Sequence, residues 1–299
     1  MRDFRLHYDA IVHRLVSHRI FVSSRAAGAD TYTAVGLLDW QSQTVTVPAR
    51  GAAPEQGFAA AVELGVAHIA EGADHLLFLI MLLLPAPLLV RRGRWVRSDD
   101  LRRNGRRIVH VVTAFAVGHS VTLAAAALGF VTAPTRLVES TIALSILVSG
   151  VHAIRPVVRG GEVGIAAGFG LVHGLAFAAL LGRLDLGRGS LLTELLGFNL
   201  GIELTQLIVV ALVMPSLTVL SRTRLYPALR IVLAGSGCVL AAGWLAERTA
   251  SITSSPFDGV TTALVAHPVA VAAALAGLAA VGRAVPGLRA PSPGPASLV

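Results

Sequence analysis

The feature that most limits what this chain can become is a succession of long, nearly uncharged apolar runs. Seven are legible, at roughly 60–88, 108–130, 137–154, 163–182, 191–214, 229–246 and 260–281. About 18 to 20 apolar residues in a helix span the hydrocarbon of a bilayer while satisfying every backbone polar group internally. Composition agrees, since 14% of the residues are charged where a soluble domain carries about 25%. The expected fold is an all-α polytopic integral membrane protein. Its bundle has about seven transmembrane helices, or six if the last two runs form one re-entrant pair.

All 25 basic residues are arginine, which excludes a P-loop lysine, a Schiff-base lysine and a Walker-type ATPase within the chain. Cys238 is the only cysteine, so no intrachain disulfide and no CxxC site can form. The net charge of +8 is unevenly placed: RRGRWVRSDDLRRNGRR alone holds eight arginines, and the loops on its side hold fifteen against four opposite. The positive-inside rule puts this Arg-rich loop, 91–107, in the cytoplasm and the N-terminal segment outside. Basic residues so arranged read as anchors to anionic headgroups. The implied partner is the lipid bilayer, with no nucleic acid.

Three parts follow along the chain. Residues 1–56 show short alternating runs such as IVHRLVSHRIFVSS and YTAVGLLDW, which suggest two or three strands. Met1 leads into RDFRLHYD rather than into an apolar signal core, so this extracytoplasmic β-rich segment is expected either to pack on the membrane domain or, the favoured reading, to be a remnant of a larger exported domain. His7, His13 and His18 fall here and read as strand or surface residues. Residues 57–282 form the helix bundle. The tail at 283–299, rich in Pro, Gly and Ser, is expected to be disordered and cytoplasmic.

Ionisable groups inside the apolar runs cost about 2.5–3.5 kcal/mol each on the insertion scale, and by default they mark function. HIAEGADHLLFLI opens the first run with His68, Glu71 and His75 spaced three and four apart. On one continuous helix these share a face, and such a stripe offers two imidazoles and an oxygen to a divalent cation. Asp74 points away from His68, placed to hold a histidine tautomer or orient a neighbouring helix. FAVGHSVTL puts His119 at the twelfth of the 23 residues 108–130, beside Ser120. His173 stands between Gly170 and Gly174 in GFGLVHGLAFA, small residues that let another helix approach the imidazole. GFNLGIELTQL places Asn199, Glu203 and Gln206 on one helix face. Glu139 lies nearer an outer boundary. His110, His152 and His267 sit near the ends of runs and read as interfacial. Neither GxSxG, HExxH nor GxGxxG occurs in a supporting context.

Taken in order, HIAEGADHLLFLIMLLL, FAVGHSVTLAAAALG, VESTIALSILVSG, FGLVHGLAFA and GFNLGIELTQL resemble the HupE/UreJ family of bacterial membrane proteins. The resemblance covers roughly residues 60–210. It implies a role in nickel or cobalt supply to hydrogenase and urease, with maturation proteins of those enzymes as partners. It also implies a metal-handling role for His68, Asp74 and His75, with His119, His173 and Glu203 at matching polar positions.

The resulting expectation is a permease or metal-handling protein of a bacterial plasma membrane, open to oligomerisation and not itself an enzyme. Its ion would be divalent, nickel first, with cobalt, zinc and copper as alternatives. The metal residues are His68, Glu71, Asp74, His75, His119, His173 and Glu203, supported by Ser120, Glu139, Asn199 and Gln206. Two rival readings stand beside it. One is an intramembrane zinc-dependent hydrolase, in which the metal activates water. The other is an assembly or anchoring accessory factor, which needs no midplane histidine.

Overall fold

A computed structural model describes residues 4–8, 20–24, 33–38, 43–47, 58–98, 100–157, 161–181, 188–250, 257, 259–260, 263 and 267–290. In the N-terminal segment it has four short strands, more than the two or three expected: β1 (Phe4–His7), β2 (Ile20–Ser24), β3 (Thr33–Leu38) and β4 (Thr44–Val47). They pair antiparallel as β1–β4 and β2–β3. His7 is exposed and its Nδ1 lies 3.0 Å from Thr44 Oγ1, a cross-strand contact rather than a ligand position. His13 and His18 lie outside the described residues.

The first apolar run is not one rod. It forms α1 (Phe58–Glu71) and α2 (Ala73–Leu83), bent by 67° at Gly72. The break falls where only glycine fits: a Cβ at Gly72 would stand 2.6 Å from the His68 carbonyl and 3.0 Å from His75 Nδ1. His68 and His75 therefore sit on two helices, and the continuous one-face stripe expected for His68, Glu71 and His75 does not exist as such.

The Arg-rich loop is also more ordered than a linker. Strands β5 (Leu88–Arg91) and β6 (Arg94–Arg97) form a hairpin. Its two-residue turn, Arg92 and Gly93, has φ of 48° and 74°, the primed geometry whose twist matches paired strands. Helix α3 (Leu101–Ala127) starts at Asp100, whose carboxylate accepts from Arg103 N at 2.9 Å, so the last arginines of the motif belong to a capped helix. At its far end Gly129 (φ 79°) closes a Schellman motif, with Gly129 N bonded to Ala126 O and Phe130 N to Ala125 O.

Four further helices follow: α4 (Thr135–Ile154), α5 (Glu162–Leu181), α6 (Arg188–Leu220) and α7 (Tyr226–Ala250), with α8 (Pro268–Ala284) after them. Among the described residues, α3, α4, α6 and α7 are each long and apolar enough to cross a membrane, and the bent α1–α2 pair is a fifth when taken as one broken span rather than a re-entrant loop. The apolar stretches described in α5 and α8 are shorter; they stand where the fourth and seventh spans are expected. The protein is a polytopic all-α membrane protein with a small β-rich N-terminal part. Large apolar side chains such as Val117, Val121, Leu196, Leu212 and Val232 face outward, as lipid-facing helices require. The expected tail is ordered at its start: Ala290 N bonds Arg222 O and Arg224 N bonds Leu288 O, which ties it to the α6–α7 turn. Residues 291–299 lie outside the described residues.

Three helix pairs carry the packing: α3 on α5, α1 on α6, and α4 on α7. The last is clamped at both ends. Arg248 Nε reaches Glu139 Oε2 at 3.1 Å. Buried Arg230 donates to the carbonyls of Ala153 and Ile154, the negative end of α4. The expected polar residue Glu139 is thus an ion-pair partner at the bundle rim.

Candidate functional site

Two of the helix pairs close around histidine, and glycine is the reason. A Cβ on Gly170 of α5 would run into the Phe115 carbonyl of α3, and one on Gly174 into Thr122 Oγ1 and the His119 carbonyl. The bare backbones approach closely there, which places His119 and His173 in the same layer. On the other side Gly65 of α1 backs onto the Phe198 carbonyl of α6, bringing the Phe198 ring to 5.4 Å from that of His68.

The result is a cluster of four imidazoles drawn from α1, α2, α3 and α5. Ring centres lie 4.7 Å apart for His68–His75, 5.1 Å for His75–His173, 6.1 Å for His75–His119 and 6.3 Å for His68–His119. His119 and His173 are 0% exposed and His75 is 4% exposed, while His68 is half-buried. Phe78 and Phe115 wall the cluster, each with its ring centre within 5.2 Å of that of His173.

Two hydrogen bonds set the chemistry. Asp74 Oδ1 stands 3.0 Å from His75 Nδ1 and also accepts the His75 backbone N–H. An ionised carboxylate only accepts, so His75 carries its proton on Nδ1 and its lone pair on Nε2. Ser145 of α4, absent from the sequence-derived set, is the second. Its hydroxyl donates to Ile142 O at 2.7 Å and lies 3.0 Å from His173 Nε2. With its one proton committed, Ser145 accepts from Nε2–H, which leaves the His173 lone pair on Nδ1.

Both lone pairs are idle. Among the described residues, His75 Nε2, His173 Nδ1 and both nitrogens of His119 are buried with no hydrogen-bond partner, at about 1–3 kcal/mol for each group left unmade. A neutral imidazole nitrogen so freed and so oriented fits a borderline metal ion. The rings nevertheless pack edge to face. Among the described residues no three His, Cys, Asp or Glu side chains converge closely enough to hold a metal ion together.

The other expected residues are placed less centrally. The side chain of Glu71 lies outside the described residues. Glu203 on α6 is half-buried and makes no ion pair among the described residues. Asn199 is half-buried, and Gln206 is buried with its Oε1 unpartnered among the described residues. Ser120 spends its hydroxyl on its own helix, donating to Ala116 O at 2.8 Å.

A second polar group, at the opposite end of α4, was not legible as a unit. Arg107 pairs with Glu162 and donates to Leu88 O at 3.0 Å. His152 Nε2 lies 3.8 Å from Glu162 Oε1. The Trp95 indole donates to the His152 carbonyl at 3.0 Å. Glu162 precedes the apolar part of α5. Burial raises its carboxyl, but the nearby His152 and the bonds and charge of Arg107 outweigh this and hold it below the ordinary value. The group ties the β5–β6 hairpin to α3, α4 and α5. Only the clustering of Trp, Arg and His at the ends of runs hinted at it.

A family model described as HupE / UreJ protein matches residues 41–248 of the chain, from β4 through nearly all of α7. No curated protein and no solved structure matches.

Proposed function

We propose, from the premise that the chain belongs to the HupE/UreJ family, that it moves a divalent transition-metal ion, nickel first, across a bacterial plasma membrane. The observation that carries this reading is the set of buried, unpartnered imidazole nitrogens on His75, His119 and His173. Imidazole suits nickel, cobalt, zinc and copper. Asp74 and Ser145 hold two of the rings in tautomers that present a lone pair. The broken span adds a second support: α1 ends beside His68, and a helix C-terminus favours a cation. Discontinuous helices of this kind are where membrane transporters place ions. No nucleotide motif is present in the sequence, so the gradient or a partner drives the movement.

In this reading the N-terminal segment faces outward, the hairpin and the start of α3 face the cytoplasm, and hydrogenase or urease maturation proteins receive the ion. The ion passes His68 and Glu71, then the His75, His119 and His173 layer, with Glu203 farther along. Small ring rotations about χ2 turn edge-packed imidazoles into ligands. The test is nickel flux into proteoliposomes beside metal analysis of the purified protein. His68→Ala, His75→Ala and Glu203→Gln are each expected to lower flux at normal expression, and unchanged flux in all three sinks the reading. Tightly retained zinc without any flux points instead to the hydrolase.

A further inference from the structure

Two of the helix crossings are the same crossing made twice. Helix α1 carries Gly65-Val66-Ala67-His68 and α5 carries Gly170-Leu171-Val172-His173, glycine three residues before histidine in each. Their partners carry Phe198-Asn199-Leu200-Gly201 in α6 and Phe115-Ala116-Val117-Gly118 in α3. The closest backbone contacts correspond. A Cβ on Gly65 would strike the Phe198 carbonyl, and one on Gly170 the Phe115 carbonyl. In return Gly201 abuts Val62 O and Val66 N, while Gly118 abuts Ala167 O and Leu171 N. In both cases the struck residues stand three before and one after the glycine of the Gly-x-x-His motif. Exchanging α1 with α5 and α6 with α3 turns one crossing into the other.

The same exchange pairs α4 with α7, and these two helices pack against each other. They run antiparallel, since Glu139 near the start of α4 meets Arg248 near the end of α7, and Arg230 near the start of α7 meets Ala153 at the end of α4. A twofold axis across the helices demands this. Counting the bent α1–α2 pair as one crossing and the shorter α5 as another, each unit makes three crossings: α1–α2 with α3 and α4, then α5 with α6 and α7. An odd number sets the second unit upside down in the membrane.

The two units are not in the same state. The span of α1 breaks at Gly72, and His68 is half-buried. Its counterpart α5 runs unbroken over 20 residues, and His173 is 0% exposed against Ser145. We propose that α1–α4 and α5–α7 are an inverted repeat whose axis passes between His68 and His173, and that transport works by the units exchanging these conformations. His68 is then open in one state and His173 in the other, toward opposite faces of the membrane. The exchange rests on the transport reading above; the repeat does not.

Cysteine accessibility in membrane vesicles tests both parts, in the full chain with Cys238→Ala as background. Phe130→Cys, in the turn after α3, and Arg222→Cys, after α6, are exposed and lie away from the histidines. A membrane-impermeant maleimide is expected to label them from opposite faces; labelling from one face overturns the repeat. His68→Cys and His173→Cys are likewise expected to react from opposite faces. The minor state, populated at about 0.1–10%, makes His173→Cys roughly tenfold to a thousandfold slower. Ser145→Cys, whose side chain touches His173, reports the same opening if His173→Cys does not reach the membrane. Reaction of the His68 and His173 positions from one face, or no reaction at 173 and 145 while the Cys238→Ala background carries nickel, overturns the exchange. Absence of nickel flux in the Cys238→Ala background, whose histidines are intact, with this labelling pattern counts against the transport reading alone.

Discussion

Replacing Asp74 by asparagine isolates what the carboxylate does for His75. The change is nearly isosteric, and the amide oxygen can still accept the His75 backbone N–H that Asp74 Oδ1 now accepts at 3.0 Å, so the start of α2 survives. What is lost is the charge-assisted bond to Nδ1, also 3.0 Å. Bonds to charged groups contribute about 1.5–3 kcal/mol and neutral ones about 0.5–1.5, a difference of about 1–1.5 kcal/mol. The effect on folding is smaller, because the Asp74 side chain is 36% exposed and water replaces part of the interaction. The effect on metal is larger. An amide both donates and accepts, so the ring is no longer committed to Nδ1–H, and the Nε2 lone pair is no longer guaranteed. Loss of such a partner behind a ligating imidazole costs about 10–100-fold in affinity. Calorimetric titration of nickel into the detergent-purified protein at neutral pH measures this, with His75→Ala as the floor. Asp74→Asn is expected to bind about 10–100-fold more weakly with little change in melting temperature. Wild-type affinity in a well-folded Asp74→Asn protein refutes the tautomer argument. It would also remove His75 Nε2 as a ligand.

Other outcomes follow from the same geometry. Ser145→Ala leaves His173 Nε2–H buried without an acceptor and is expected to lower stability by about 1–3 kcal/mol, read as a lower melting temperature; Ser145→Thr should restore most of it. Gly170→Ala puts a methyl into the Phe115 carbonyl and is expected to cost about 1–3 kcal/mol. Gly105→Ala, which meets nothing within 4 Å in the same bundle, should instead gain about 0.5–1 kcal/mol. Equal melting temperatures for these two glycine variants would dismantle the α3–α5 packing argument. The Glu162 carboxyl is held below its ordinary value of 4.5, so its contribution is present above about that pH and is lost as pH falls through the lowered value. Melting temperatures from pH 7 down to pH 3 should therefore drop less steeply for Glu162→Gln than for wild type.

Much of this protein was legible in one dimension. Apolar length and sparse charge dictate helices that cross a bilayer, because no other open structure satisfies its backbone there. Histidine and carboxylate within such runs announce a polar centre, because burying them idly is costly. His68, His75, His119 and His173, chosen on those grounds, do meet. Other features depended on neighbours that periodicity cannot name. A regular 3.6-residue repeat through HIAEGADH predicts one stripe, yet the helix bends by 67° at Gly72, where His68 and His75 leave no room for a side chain. Ser145 is one hydroxyl among several in α4 until α5 brings His173 within 3.0 Å of it. The glycines of α1 and α5 read as ordinary small residues until their contacts prove to be the same contacts, made on helices far apart in the chain. Hydrophobicity is a property of a segment and survives in its composition. Register, tautomer and symmetry belong to pairs of segments, and they exist only once packing has decided which backbones touch.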